Sequence, residues 1–251
     1  LTSITKGLFD SLDELRYLNL RSNPLLSLYN EVFHGLPLLS WLNIGDNYIS
    51  KISKGLLKKN ILIETLYLER MKIEVLGEND LKGLKNLKKL YLRNNELLKE
   101  IETYVFPNLK MLETLDLSGN QLTYLPKTLE ELENLEELMI DTNPWGCDCR
   151  MAWFAHWAEK RMQIMKSELS CGPHAYPNDM LPTLKHLNCT APRIIYSTPL
   201  SYYVLKTNAL LECKYAGNPL PSITWVTPVR QIFHWNPEPN IPDVFHKHPA
   251  A

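Results

Sequence analysis

The sequence predicts a solenoid of short parallel strands, closed at its C-terminal end by a cysteine-stapled cap and followed by part of a second, all-β domain. Three observations predict it. An apolar phrase recurs with a period of about 24 residues through the first 143 positions. All five cysteines fall after residue 146. Beyond residue 190 the apolar pattern changes to the two-residue alternation of a strand, interrupted by proline-rich turns.

The repeated phrase is L-x-x-L-x-x-L-x-L-x-x-N. Its apolar pairs fall at Leu18/Leu20, Leu42/Ile44, Leu66/Leu68, Leu90/Leu92, Leu115/Leu117 and Leu138/Ile140, in steps of 24, 24, 24, 25 and 23. This is the leucine-rich-repeat signature, in which each unit supplies one strand and cannot bury its apolar face without its neighbours. The pair points inward while the flanking residues share the opposite, concave face. Asn23, Asn47, Asn95, Asn120 and Asn143 follow the strands. As a column they can satisfy backbone groups that the turn would otherwise bury unpaired. The third repeat carries Met71 there; a thioether cannot make those bonds, so a local irregularity is expected. Val32-Phe33 and Val105-Phe106 read as convex-side filling. Leu1, Ile4, Phe9 and Leu12 match the back half of a unit whose strand is absent, so further sequence is expected ahead of Leu1 in the natural protein.

The cap begins at Asn143-Pro144-Trp145-Gly146-Cys147-Asp148-Cys149, with Trp153, Phe154 and Trp157 at helical spacing and Cys171 and Cys189 beyond. The four cysteines allow three pairings. Zinc is disfavoured by the one-residue gap between Cys147 and Cys149. The aromatic residues can cover the leucines of the last repeat, and two bridges suit a module with little core of its own. The stretch resembles the C-terminal cysteine-rich flank of extracellular leucine-rich repeats, N-P-W-x-C-x-C…C…C. That resemblance implies the bridges Cys147–Cys171 and Cys149–Cys189. Asn188-Cys189-Thr190 is an N-x-[ST] triplet, which makes Asn188 a candidate glycosylation site.

From Ala191 the chain reads differently. Leu210-x-Glu212-Cys213-x-Tyr215 alternates, Gly217-Asn218-Pro219-x-Pro221 turns, and Ile223-x-Trp225 follows. Cys213 with Trp225 twelve residues later resembles strands B and C of an immunoglobulin-like domain. No second cysteine follows Trp225, so Cys213 is expected to be unpaired here and the domain to be truncated. The expected organisation is repeats over 1–143, the cysteine-rich flank over 144–190 and the start of an immunoglobulin-like domain over 191–251.

With 27 basic and 28 acidic residues, the chain lacks the basic footprint that nucleic acid or an anionic membrane needs, and neither is expected as a partner. It holds no apolar run long enough to cross a bilayer. Phosphate loops, H-E-x-x-H and G-x-S-x-G are absent, so neither catalysis nor a cofactor is expected. His246-x-His248 lacks a third ligand at a suitable spacing, so no metal site is expected.

The concave columns hold Tyr17, Trp41, Tyr67 and Tyr91, with Arg21 and Arg93 beside them. Large rings and arginine anchor protein interfaces. Bulky rings also shield strands from one another, and the sequence leaves both readings open. The chain as a whole resembles leucine-rich-repeat and immunoglobulin-domain surface proteins such as the kekkon, LRIG, LINGO and AMIGO groups. The resemblance implies a secreted or single-pass cell-surface recognition protein, anchored by a transmembrane segment elsewhere in the full protein. It would bind an extracellular protein ligand or receptor and pair with a second copy of itself. A matrix-associated structural protein and a Toll-type innate immune receptor are the alternatives; the Cys213/Trp225 pattern weighs against the second.

Overall fold

A computed structural model describes residues 2–5, 7–172, 178–198, 210–218, 221, 223–226, 230–235 and 246–249. Leu1 and Pro219 lie outside them. Two compact units divide after His186.

In chain order the strands of the first unit are β1 (Tyr17–Asn19), β2 (Trp41–Asn43), β3 (Thr65–Tyr67), β4 (Val75–Leu76), β5 (Lys89–Tyr91), β6 (Glu100–Ile101), β7 (Thr114–Asp116) and β8 (Glu137–Met139). One strand per repeat builds a six-stranded parallel sheet in the order β1-β2-β3-β5-β7-β8. Registration is equally regular: Leu18, Leu42, Leu66, Leu90, Leu115 and Leu138 lie side by side. From Leu42 to Leu138 these leucines are fully buried, as are their partners Ile44 to Ile140. Each buried leucine contributes about 1.5–3 kcal/mol by leaving water, and any slip of one residue would turn the whole row outward.

Opposite the sheet the chain returns through turns and short 3-10 segments at Phe106–Asn108 and Lys127–Glu131. Phe33 and Phe106 are completely enclosed there. β4 and β6 form a second parallel pair, Leu76 beside Ile101. Consecutive repeats touch tightly on this side. Gly83 sits at φ +105°, and a Cβ built on it would lie 2.8 Å from the Lys58 carbonyl oxygen. Both the backbone conformation and the contact forbid a side chain. Gly83→Ala is expected to lower stability by about 2–4 kcal/mol, read as a lower urea midpoint; an unchanged midpoint would mean the two loops part freely.

The asparagine column works as its chemistry requires. Asn95 Nδ2 donates to the carbonyls of Leu68 (2.9 Å) and Leu92 (2.6 Å), and its Oδ1 accepts the Met71 N–H at 2.8 Å. Asn47 and Asn143 repeat the pattern on Leu20/Ile44 and Leu117/Ile140. The expected irregularity at Met71 does not occur. Register runs unbroken from β2 through β3 to β5. Neighbouring asparagines supply what methionine cannot: Asn47 serves the Ile44 carbonyl, and Asn95 serves both the Leu68 carbonyl and the Met71 N–H. Met71 is buried as an ordinary apolar residue.

The cap covers the sheet's last edge. Lys166 N–H donates to the Leu138 carbonyl at 3.0 Å, and Ile140 N–H donates to Ser167 Oγ. Helices α1 (Ala152–Glu159) and α2 (Met180–Lys185) pack together. Phe154, Trp157 and Met180 are buried, and Trp145 Nε1 donates to the Ile140 carbonyl. A disulfide joins Cys147 to Cys171 across 5.6 Å between Cα atoms. Cys149 and Cys189 are also in disulfide form.

The second unit, residues 187–251, contains β9 (Thr190–Ser197), β10 (Leu210–Asn218), β11 (Ile223–Val226), β12 (Ile232–Trp235) and β13 (His246–Pro249). β9 and β13 flank β10 antiparallel, and β11 pairs antiparallel with β12. Cys213 on β10 is a buried free thiol.

Candidate functional site

The sheet's concave face is built from the residues that flank the inward leucines. Strand alternation puts both flanks of each leucine on that face, and parallel register aligns them from one repeat to the next. Tyr17, Trp41, Tyr67 and Tyr91 come together there as one stack. Ring centroids are 6.5 Å apart from Tyr17 to Trp41, 5.3 Å from Trp41 to Tyr67 and 4.5 Å from Tyr67 to Tyr91. The last pair is parallel within 8°. The stack crosses columns: Trp41 precedes its inward leucine, whereas Tyr67 follows its own, so the two rings meet on the diagonal across β2 and β3.

These positions are less open than the sequence suggests. Tyr17 is 70% exposed, whereas Trp41, Tyr67 and Tyr91 are half-buried. Each ring therefore shields its neighbour and still presents an edge or face to solvent. Further along, Thr114 and Asp116 are buried. Asp116 Oδ1 accepts from the Ser118 N–H and hydroxyl at 3.0 and 2.6 Å.

Both flanking arginines are held by carboxylates. Arg21 donates through Nε and Nη2 to Asp46 Oδ2 at 3.0 and 2.9 Å, and Arg70 lies 3.8 Å from the same oxygen. Two guanidinium groups thus share one carboxylate. Arg93 Nε sits 2.9 Å from Glu69 Oε1, with Glu69 almost fully buried. Glu69 falls in the same concave column as Arg21 and Arg93, whereas Asp46 and Arg70 lie outside the columns that the repeat pattern marks. Their signal is the repeat spacing itself, because Arg21/Asp46 and Glu69/Arg93 stand 25 and 24 residues apart. The residue just ahead of each turn position also takes a left-handed backbone, at Ser22, Asp46, Arg70, Asn94, Gly119 and Thr142. Only one of the six is glycine, so composition does not announce the turn.

Burial, then charge repulsion from the neighbouring Tyr67 phenol and from the carboxylates of Glu137, Asp116 and Glu69, holds the Tyr91 phenol above its ordinary value near 10. A phenol whose folded value is raised favours the fold below the unfolded value, and that contribution is lost as pH rises through the folded value. Stability is therefore expected to decline above about pH 10, and Tyr91→Phe to make the decline shallower. Thermal melts from pH 8 to 11.5 check it. Equal slopes for both proteins would show that Tyr91 is not a linked group.

The described residues also enclose a cleft of about 790 Å³ where the cap meets the last repeat, bordered by Asp141, Thr142, Trp145, Lys166 and Glu168. It does not include the ring stack. Among the described residues no group of three metal-ligating side chains converges, and no helix is long and apolar enough to cross a membrane.

The sequence matches the leucine rich repeat family over residues 1–49, 39–97 and 85–144. The chain belongs to the leucine-rich-repeat family. Solenoids of this kind stack their repeats into an extended open sheet of the type used for recognition, and the aromatic stack lies on the first four strands of that sheet. Among curated relatives, the chain is similar to the NT-3 growth factor receptor of Gallus gallus, at 28% identity over 165 residues. The receptors of that name from Macaca fascicularis and Homo sapiens are each 26% identical over 166 residues. The aligned part is 65% of this chain, and the chain spans about a fifth of the length of those relatives (20%).

Proposed function

We propose that this leucine-rich-repeat chain is the recognition part of a cell-surface receptor or adhesion protein, and that it captures an extracellular protein ligand or co-receptor on its concave face. The observation that carries the reading is the stack of Tyr17, Trp41, Tyr67 and Tyr91 on one open sheet face. Half-buried rings are already ordered, so docking a partner on them costs little side-chain entropy while covering a large amphipathic area. Arg21 and Arg93, on the same run of strands, keep their guanidinium groups partly exposed, where a partner's carboxylates can reach them.

The similarity to growth factor receptors supports the extracellular setting, as do the cystine bridges of the cap. In that setting Asn188, exposed at the end of the cap, is a glycosylation site. The antiparallel strands carrying Cys213 and Trp225 are read as the opening of an immunoglobulin-like domain. The full protein would then carry a membrane anchor outside this chain.

A screen of the immobilised, glycosylated chain against secreted ligands and cell-surface ectodomains is expected to return a protein partner. Hydrogen exchange on that complex should show slowed exchange at Trp41–Asn43, Thr65–Tyr67 and Lys89–Arg93. Protection confined to the convex loops or to residues 187–251 would refute the concave assignment.

A further inference from the structure

Beyond the ring stack the concave face turns acidic, and one of its carboxylates lacks a counter-charge. β7 and β8 bring Asp116 and Glu137 to this face, with Asp116 in register between Tyr91 and Met139. Asp116 is 3% exposed. A carboxylate so deeply placed is expected to have a cation or a full set of donors. Asp116 has neither. Its Oδ1 takes both donors of Ser118, while Oδ2 makes no hydrogen bond or salt bridge among the described residues. The cations of the preceding repeat are not turned to it. Arg93 is held by Glu69 at 2.9 Å and Lys88 by Glu64 at 3.1 Å, and Lys89 forms no salt bridge among the described residues.

The turn does not need this charge. Asn19 Oδ1 accepts from the Arg21 N–H and Asn43 Oδ1 from the Gly45 N–H, each at 3.0 Å. Asp116 Oδ1 makes the same bond, two residues on, at the same distance. All three residues directly follow an inward leucine, and Asn43 is nearly as buried, at 5% exposed. A neutral amide thus closes the turn in this very chain. What aspartate adds is a negative charge, which opposes folding and finds no cation within the chain. Glu137, exposed one strand on, accepts a 3.4 Å bond from the Thr114 hydroxyl. After burial and the Tyr67 phenol, Glu137 and Asp116 oppose ionisation of Tyr91. Their negative field therefore reaches the end of the ring stack.

We infer that this is a subsite for a basic side chain, a lysine or arginine of the protein partner, laid along the Tyr67 and Tyr91 rings with its cation against Asp116 and Glu137. The inference rests on the concave reading and adds the partner's chemistry to it. A long basic side chain suits both halves of the subsite. Its apolar stem covers the rings, and its charged head is drawn to an aromatic face and to carboxylates alike. Two carboxylates without a cation in the free chain gain one in the complex, so docking relieves a cost that folding has already met. Glu69, whose arginine is in place at 2.9 Å, is not part of the subsite.

The probe is a library of short random peptides, displayed and selected on the immobilised whole chain. Enriched peptides are expected to carry a lysine or arginine and to slow hydrogen exchange at Lys89–Tyr91, Thr114–Asp116 and Glu137–Met139. Asp116→Asn/Glu137→Gln is expected to bind them at least tenfold more weakly, with an unchanged thermal melt. Exchanging the peptide's basic residue for glutamine should cause the same loss, and combining both exchanges should add little more. Peptides that protect these strands but carry no basic residue, or bind the double variant as tightly, overturn the inference and leave the concave reading standing. Peptides that protect only the convex loops or residues 187–251 overturn both. A double variant that melts well below the parent chain makes the carboxylates structural and overturns the inference, as does a selection that enriches nothing.

Discussion

Asn95→Leu is expected to cost about 3–5 kcal/mol of stability, enough to unfold a marginal solenoid at physiological temperature. The side chain is completely buried and joins three backbone groups across two repeats. Leucine would fill the volume and strand all three: the Met71 N–H and the carbonyls of Leu68 and Leu92. Each buried polar group left without a partner costs about 1–3 kcal/mol, and partial relaxation keeps the sum below its ceiling. Met71→Leu, at the equivalent place one repeat earlier, makes the contrast. It exchanges one buried apolar side chain for another of similar volume and is expected to cost under about 1.5 kcal/mol. Urea titrations of the two variants read the difference directly. Similar losses at both sites would mean that packing, not the polar column, holds the turns in place.

Trp145→Ala is the second large loss, about 3–5 kcal/mol. Trp145 is 4% exposed and lies where the last repeat gives way to the cap. Its removal takes away a large apolar surface and the indole bond to the Ile140 carbonyl at 2.9 Å. Trp145→Phe separates the two contributions. The Ile140 carbonyl keeps the Asn143 amide as a donor at 3.1 Å, so phenylalanine should recover most of the loss. Differential scanning calorimetry is the measurement. If alanine and phenylalanine destabilise equally, the hydrogen bond rather than the covering ring holds the cap to the solenoid.

The sheet was legible because its signal is redundant. Six apolar pairs at nearly constant spacing leave one register in which every leucine is buried, and β1, β2, β3, β5, β7 and β8 lie there. The small convex pair β4 and β6 was not legible, since strands of two residues show no alternation. Met71 is buried in the asparagine column without disturbing it. The expected defect is absent because the asparagines on either side cover the same backbone groups. At the candidate site, the four rings were visible as column entries. That they form one diagonal stack was not, because Trp41 and Tyr67 belong to different columns and meet only through the stagger between neighbouring strands. The ion pairs of Asp46 and Glu69 are not legible for a related reason: Glu69 is visible only as a column entry beside Arg21 and Arg93, and each carboxylate matters through an arginine one repeat away.

The ring stack is proposed to be the surface on which a protein partner docks. The direct test changes Trp41, Tyr67 and Tyr91 together to alanine and measures binding to the partner found by the screen, with a thermal melt alongside. Removal of half-buried rings from a surface sheet should lower the melting temperature modestly and abolish binding, a loss of at least a hundredfold in affinity. A variant that melts well below the parent chain yet binds as tightly would contradict the claim and leave the rings as strand packing alone.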